Sequence, residues 1–218
     1  MLSNTEENYL KGLFHLTGED PAKPEAGTNE LATHLNVKPA TVNDMLKKLK
    51  QKKLIRYEKY GKISLSPEGR QRAIEVLRKH RLWETFLYQK LDFTWDEVHE
   101  VAEQLEHIQS KKLIEKLDQF LGHPEVDPHG EAIPAANGEL KTQPRKTLAE
   151  ISIGKTCKMM SVKDNTASFL QYVVKVGLGI SSNIKVIDRQ EYDAMLAIEV
   201  DGKVSNVSQK FAENIFVA

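Results

Sequence analysis

The chain has 218 residues, of which 40% are hydrophobic, enough to fold two or three packed modules and too many for a disordered chain. Its 31 basic and 31 acidic side chains cancel, which excludes a global attraction to polyanions, yet they are unevenly spread. Residues 1–81 hold 16 Lys/Arg against 10 Asp/Glu, residues 82–144 hold 5 against 13, and residues 145–218 hold 10 against 8, which points to a basic head for nucleic acid and an acidic middle for cations.

In chain order, Tyr9, Leu10, Leu13, Phe14 and Leu16 predict a helix over 4–17, with Thr5 as its start signal. A loop with two prolines follows, then Thr28 or Asn29 caps a short helix ending at His34 or Leu35. After the turn Asn36-Val37-Lys38, Pro39 opens a helix to about Lys53, with Val42, Met45, Leu46 and Leu49 inward and Lys47, Lys48, Lys50, Lys52 and Lys53 largely outward. Strands over 55–60 and 62–65 flank Gly61 as a hairpin, and Ser66-Pro67-Glu68-Gly69 leads into a long helix over 70–90. Helix, turn, basic helix, hairpin, helix is the order of a winged helix-turn-helix, although a lysine run alone is equally a solvated face. On the winged-helix reading, Pro39 starts the recognition helix, Ala40, Thr41, Asn43 and Asp44 face base edges, and Lys38, Lys47, Lys59 and Lys62 face phosphates.

Thr94 and Glu97 have capping-box spacing for a helix that carries His99, Glu103, Glu106 and His107 on one side. His80 and Glu84 form a second His/Glu pair four apart on the preceding helix. These residues could hold a metal, or could be the ordinary polar margin of two helices. Another helix runs from Ser110 to Phe120 or Leu121. The apolar excess around Trp83, Phe86, Leu87, Leu91, Leu113, Ile114, Leu117 and Phe120 implies a homodimer interface. Residues 122–147 form an irregular connection rich in Gly and Pro. Strands over 156–162, 183–188, 195–200 and 214–217, with a helix over 168–176, then suggest a small SH3-like barrel. The expected fold is mainly α with a small β domain: a winged helix-turn-helix over 1–73, a helical metal-binding and dimerisation domain over 74–146, and an SH3-like domain over 147–218. Cys157 is the lone cysteine, so no intrachain disulfide can form; with no signal peptide or membrane span visible, a cytoplasmic protein is expected.

With these pieces in place, the sequence resembles the diphtheria toxin repressor family of metal-dependent transcriptional regulators, which includes the manganese transport regulators. The resemblance runs through Glu7-Asn8-Tyr9-Leu10, Pro39-Ala40-Thr41-Val42, Leu65-Ser66-Pro67-Glu68-Gly69, Arg78-Lys79-His80-Arg81-Leu82-Trp83-Glu84, Val98-His99, Glu103, Glu106-His107, Asp127-Pro128-His129-Gly130 and Ile133-Pro134. It implies a homodimer that binds Mn2+ or Fe2+, then operator DNA, and represses metal uptake genes. It further implies a primary site of Asn8, Glu103, Glu106 and His107. Asn8 stands where an acid or methionine is usual, and Glu103 where iron-selective members tend to have cysteine. For a second site it implies His80, Glu84 and His99 in one branch, or Glu84, Asp127 and His129 with Asp164 in another. Lys11 replaces the extra glutamate of manganese members, which counts against a binuclear centre of that type. Oxygen and nitrogen donors suit Mn2+ or Fe2+, with Zn2+, Co2+ or Ni2+ able to bind in vitro and an iron-selective regulator as the alternative. A metal-dependent hydrolase is the rival from another class. No His-Glu-x-x-His motif is present, so neither enzyme activity nor a small-molecule substrate is expected, and no membrane partner is.

Overall fold

The computed structural model describes residues 2–17, 24–57, 62–141 and 145–218, which fall into two compact units. The first comprises the chain through His80 with Glu103–Ile114 and Pro134–Thr142. Helix α1 spans Asn4–Thr17. Its start is set by Ser3 and Glu6 rather than by Thr5: Ser3 N donates to Glu6 Oε2 at 2.9 Å and Glu6 N to Ser3 Oγ at 3.3 Å, a reciprocal cap that satisfies two orphan donors. Helix α2, Thr28–His34, begins after Gly27, whose N–H is accepted by Glu30 Oε2 at 3.3 Å. Helix α3, Pro39–Gln51, ends short of the expected Lys53 because Lys53 adopts a left-handed backbone (φ 60°) that terminates the helix. Strands β1, Ile55–Tyr57, and β2, Ile63–Leu65, pair antiparallel with Tyr57 opposite Ile63. The tip between them, with Lys59, lies outside the described residues.

Helix α4, Pro67–Lys90, starts three residues before the expected Arg70, since Ser66 Oγ accepts Gly69 N at 3.0 Å and Pro67 suits the first helical position. The first core gathers Leu10, Leu13, Phe14, Leu31, Val42, Leu46, Leu49, Ile63 and Leu77. That packing leaves one side of α3 for its lysines and sets the buried face of α1.

The second unit takes Arg81–Ala102, Glu115–Ile133 and Gln143–Ala218, so it shares α4, α5 (Val98–Leu105) and α6 (Lys111–Phe120) with the first. Thr94 and Glu97 do meet, Thr94 N donating to Glu97 Oε2 at 2.9 Å, and they cap the turn that precedes α5. The C-terminal part is an antiparallel six-stranded sheet in the order β3-β8-β4-β5-β6-β7. Its strands are β3 (Lys146–Thr147), β4 (Thr156–Val162), β5 (Asn183–Arg189), β6 (Leu196–Val200), β7 (Lys203–Val207) and β8 (Ile215–Val217), with helices α7 (Ala167–Val176) and α8 (Gln209–Ala212). Two strands go beyond the sequence reading. Strand β3 has only two residues, whereas β7 is joined to β6 through Asp201 and Gly202, both at positive φ (48° and 76°), as a two-residue hairpin turn demands. Met159, Leu170, Val173, Ile184, Val186, Leu196, Ile198 and Ile215 form the second core.

One backbone approach in the first unit is tight enough to test. A Cβ on Gly69 would lie 1.9 Å from the Leu54 carbonyl oxygen, so Gly69→Ala must shift α4 or the strand entry. We expect Gly69→Ala to cost about 2 kcal/mol or more in a denaturant melt. Gly27→Ala, where a methyl meets open space, should stay near wild type.

Candidate metal centres and nucleic-acid surface

In the first unit, α1 faces the segment that follows α5. Glu7, buried, receives His107 Nδ1 at 2.6 Å on Oε2 and Gln109 Nε2 at 2.8 Å on Oε1. With Nδ1 taken up by Glu7, Nε2 is the ring nitrogen of His107 left to face a metal, and it lies 3.8 Å from Glu106 Oε1. Glu106 is fully buried. Its Oε2 takes Lys11 Nζ at 2.7 Å and His80 Nδ1 at 2.6 Å, while its Oε1 has no hydrogen-bond partner among the described residues. Burial pushes the Glu106 carboxyl up, but the His80 hydrogen bond and the Lys11 charge outweigh it and hold the group below the usual carboxylate range. An orphaned buried oxygen beside a free imidazole nitrogen fits a hard divalent cation.

Asn8, implied as the first-helix ligand, is exposed on α1, and its neighbour Glu7 makes the contact with His107. Glu7 was missed although a signal existed: Glu7, Lys11 and Phe14 are spaced as one helical face, and that face is the buried one. Glu103 lies at the exposed margin, with Oε1 3.5 Å from Lys11 Nζ.

In the second unit, Glu84, Asp127 and His129 are all buried, and one ligand atom of each lies within 4.8 Å of the others. His129 Nε2 donates to the Trp95 carbonyl at 2.9 Å, which turns Nδ1 toward Glu84 Oε1 at 3.6 Å. Burial lowers the His129 pKa, but the Glu84 hydrogen bond and carboxylate charge reverse that, for a net rise. Asp127 Oδ1 accepts His129 N at 2.8 Å and Glu131 N at 2.9 Å, which shapes the loop, and Arg81 Nε stands 3.6 Å from Oδ2. Burial first, then the Glu84 charge, pushes Asp127 up to about 7 against the pull of Arg81. The loop is also docked on the sheet: Val162 N donates to the His129 carbonyl at 3.2 Å, and a Cβ on Gly130 would sit 1.9 Å from the Met160 carbonyl oxygen. His99 Nδ1 is 3.1 Å from Glu84 Oε1 and 3.2 Å from Asn165 Nδ2. Asp164 is engaged elsewhere, its Oδ1 accepting Thr166 N at 2.9 Å ahead of α7, so Asn165 is the C-terminal side chain that reaches His99.

On α3, Lys38, Pro39, Ala40, Thr41, Asp44 and Lys47 are exposed, with Lys47 Nζ 3.0 Å from Asp44 Oδ1. Asn43 is half-buried and committed: Nδ2 donates to the Pro39 carbonyl at 3.1 Å and Oδ1 accepts the Tyr57 hydroxyl at 2.8 Å. Lys62 is exposed at the start of β2, 3.7 Å from Glu25 Oε2.

Asp127 sets a pH dependence. Its pKa rises from 3.8 to about 7 on folding, so it contributes stability below 3.8 that is lost as pH climbs through about 7. We expect Asp127→Asn to gain melting temperature relative to wild type in chelator as pH rises from about 5 to 8, with the gap closing at the acid end.

Comparison with known proteins agrees with this architecture. Residues 1–63 match the iron dependent repressor N-terminal DNA binding domain, residues 66–135 its metal binding and dimerisation domain, and residues 146–218 the FeoA domain. An uncharacterized HTH-type transcriptional regulator of Methanocaldococcus jannaschii is 34% identical over 55% of this chain and 94% of its own length. The iron-dependent repressor IdeR of Mycobacterium tuberculosis is 32% identical over 61% of this chain, a match that spans 56% of that repressor. A probable metal transport system membrane protein of Chlamydia trachomatis is 45% identical over 71 residues, 33% of this chain and only 16% of its own length. Among solved structures, a manganese-dependent transcriptional repressor in complex with manganese superposes with a TM-score of 0.88 at 32% identity, covering 98% of this chain and 99% of that one. ScaR with bound Cd2+ gives 0.82 at 33% identity, covering 98% of both chains. The chain therefore belongs to the diphtheria toxin repressor family of metal-dependent transcriptional regulators, whose members are regulators and not enzymes.

Proposed function

We propose that the protein is a homodimeric repressor that binds operator DNA when loaded with Mn2+ or Fe2+ and controls genes of metal ion homeostasis. The observation that carries this reading is the fully buried Glu106, whose Oε1 has no hydrogen-bond partner among the described residues and lies 3.8 Å from His107 Nε2, in the unit that also bears the winged helix. Glu103, Glu106 and His107 would hold the ion, with Glu7 fixing the His107 tautomer. Glu84, Asp127 and His129 would hold a second one. All are oxygen or nitrogen donors, and the lone thiol, Cys157, lies buried in the second core. A bound divalent cation supplies concentrated positive charge to these carboxylates.

The residues of α1 then do the coupling. Glu7 and Lys11 tie the first helix of the DNA-binding head to residues 103–109, so closing that contact fixes the head. Moving such an equilibrium from 1:99 to 99:1 takes about 10⁴-fold tighter binding to the closed state, roughly 5.5 kcal/mol. On α3, Ala40, Thr41 and Asp44 would read base edges, while Lys38, Lys47 and Lys62 would hold phosphates. Dimerisation is supported by an apolar surface on the second unit: Tyr88, Leu91 and Phe120 are exposed, and the Phe120 ring lies tilted against Phe86 at 6.1 Å between centroids. Two copies would present their α3 helices about one DNA turn apart. The site of action would be the cytoplasm; no helix among the described residues is long and apolar enough to cross a membrane.

The test is anaerobic titration of a duplex from the gene's own upstream region with Mn2+, Fe2+ or Zn2+, with and without chelator. Wild type should bind tightly only with metal, and Glu106→Ala should lose that response. Equal binding in every condition would remove the sensor, and no binding to any upstream duplex would remove the repressor. Lys47→Ala should weaken binding to all sequences alike and reduce the salt slope by about 1.

A further inference from the structure

Lys11 has no role in the mechanism above beyond tethering, yet its placement is unusual. An ammonium is rarely enclosed unless paired, and only 10% of the Lys11 side chain is exposed. Its Nζ lies 2.7 Å from Glu106 Oε2 and 3.5 Å from Glu103 Oε1, so it contacts two of the three side chains assigned to the first metal centre. Glu106 keeps Oε1 open on the His107 side, where Nε2 lies 3.8 Å away. One carboxylate thus carries a fixed monovalent cation on one oxygen and offers the other to a mobile divalent one.

We propose that Lys11 is a built-in counter-cation that sets how tightly this centre takes a divalent ion. The proposal rests on the reading of Glu103, Glu106 and His107 as ligands. Without a bound ion, the Lys11 ammonium offsets the buried charge of Glu106 and keeps the metal-free protein folded. Toward a divalent ion held by Glu103, Glu106 and His107, the same ammonium would be repulsive and would draw charge from those ligands. The centre is thereby tuned away from maximal affinity, which a sensor needs if it is to empty when the ion becomes scarce. His80 shares Oε2 with Lys11 and holds the carboxylate in orientation, so removing Lys11 does not leave Glu106 without a hydrogen bond.

Lys11→Met keeps most of the side-chain volume and removes the charge, and Lys11→Arg keeps the charge. Each full-length protein is melted in chelator and in Mn2+, and titrated with Mn2+ by calorimetry at fixed ionic strength. Lys11→Met should melt below wild type in chelator, bind Mn2+ about tenfold tighter, the order expected for one unit charge acting on a divalent ion at high effective dielectric, and show the larger upward shift with Mn2+. Lys11→Arg should follow wild type. A folded Lys11→Met with wild-type or weaker Mn2+ affinity overturns the proposal and leaves the metal reading intact, whereas no Mn2+ binding by any of the three proteins overturns both. If Lys11→Met is unfolded in chelator, folding restored by Mn2+ supports the proposal, and a Lys11→Gln variant that folds yet gains nothing in Mn2+ affinity overturns it.

Discussion

A carboxylate sealed from water is the constraint around which the first unit is arranged. Taking a charge out of water costs several kcal/mol unless it is paired and hydrogen-bonded, and Glu106 is fully buried. Compensation comes from two elements at once: α1 delivers Lys11 and α4 delivers His80, both to the same oxygen. Lys79, also buried on α4, is held below its ordinary range by desolvation, which the charges of Glu7 and Glu106 offset only in part, so a further basic side chain belongs to the same balance. The helix that begins the DNA-binding head is thus bonded to the segment after α5 through charged groups, and charge is what a metal ion can alter.

The second centre is built on a different principle, a loop whose own side chain folds it. Asp127 accepts two backbone N–H groups, and the loop is pressed against β4 so closely that position 130 has no room for a side chain. Arg145 bonds both Glu131 at 2.7 Å and Ser161 at 3.0 Å, so the sheet supports the loop through side chains as well as backbone. The C-terminal sheet is therefore part of the scaffold that orients His129.

Much of this was legible in the sequence, and the exceptions have physical causes. The winged helix showed itself through Pro39, the inward residues of α3 spaced three and four apart and the short hairpin, because local periodicity and turn chemistry decide such elements. The resemblance named Glu84, Asp127 and His129 together, and the fold brings one ligand atom of each within 4.8 Å of the others. Asn8 against Glu7 was a matter of 100° around a helix axis, which the buried face of α1 decides and the neighbouring motif does not. Asp164 against Asn165 turned on which of two adjacent side chains is taken up by the turn before α7, where Asp164 accepts the Thr166 N–H, a tertiary choice with no sequence period behind it. The β6–β7 hairpin was readable from Asp201-Gly202, a strong short hairpin signal.

The hydrogen bond from the Tyr57 hydroxyl to Asn43 ties the second basic helix to the first strand of the wing. On the proposed function, helix and wing enter DNA as one piece, with their spacing fixed before contact. An attempt to rewrite operator preference by transplanting α3 alone would import a helix without its strut. The alphabet open to such redesign is correspondingly short: the outward positions Ala40, Thr41 and Asp44 are open to change, while Asn43 and Tyr57 have to travel together.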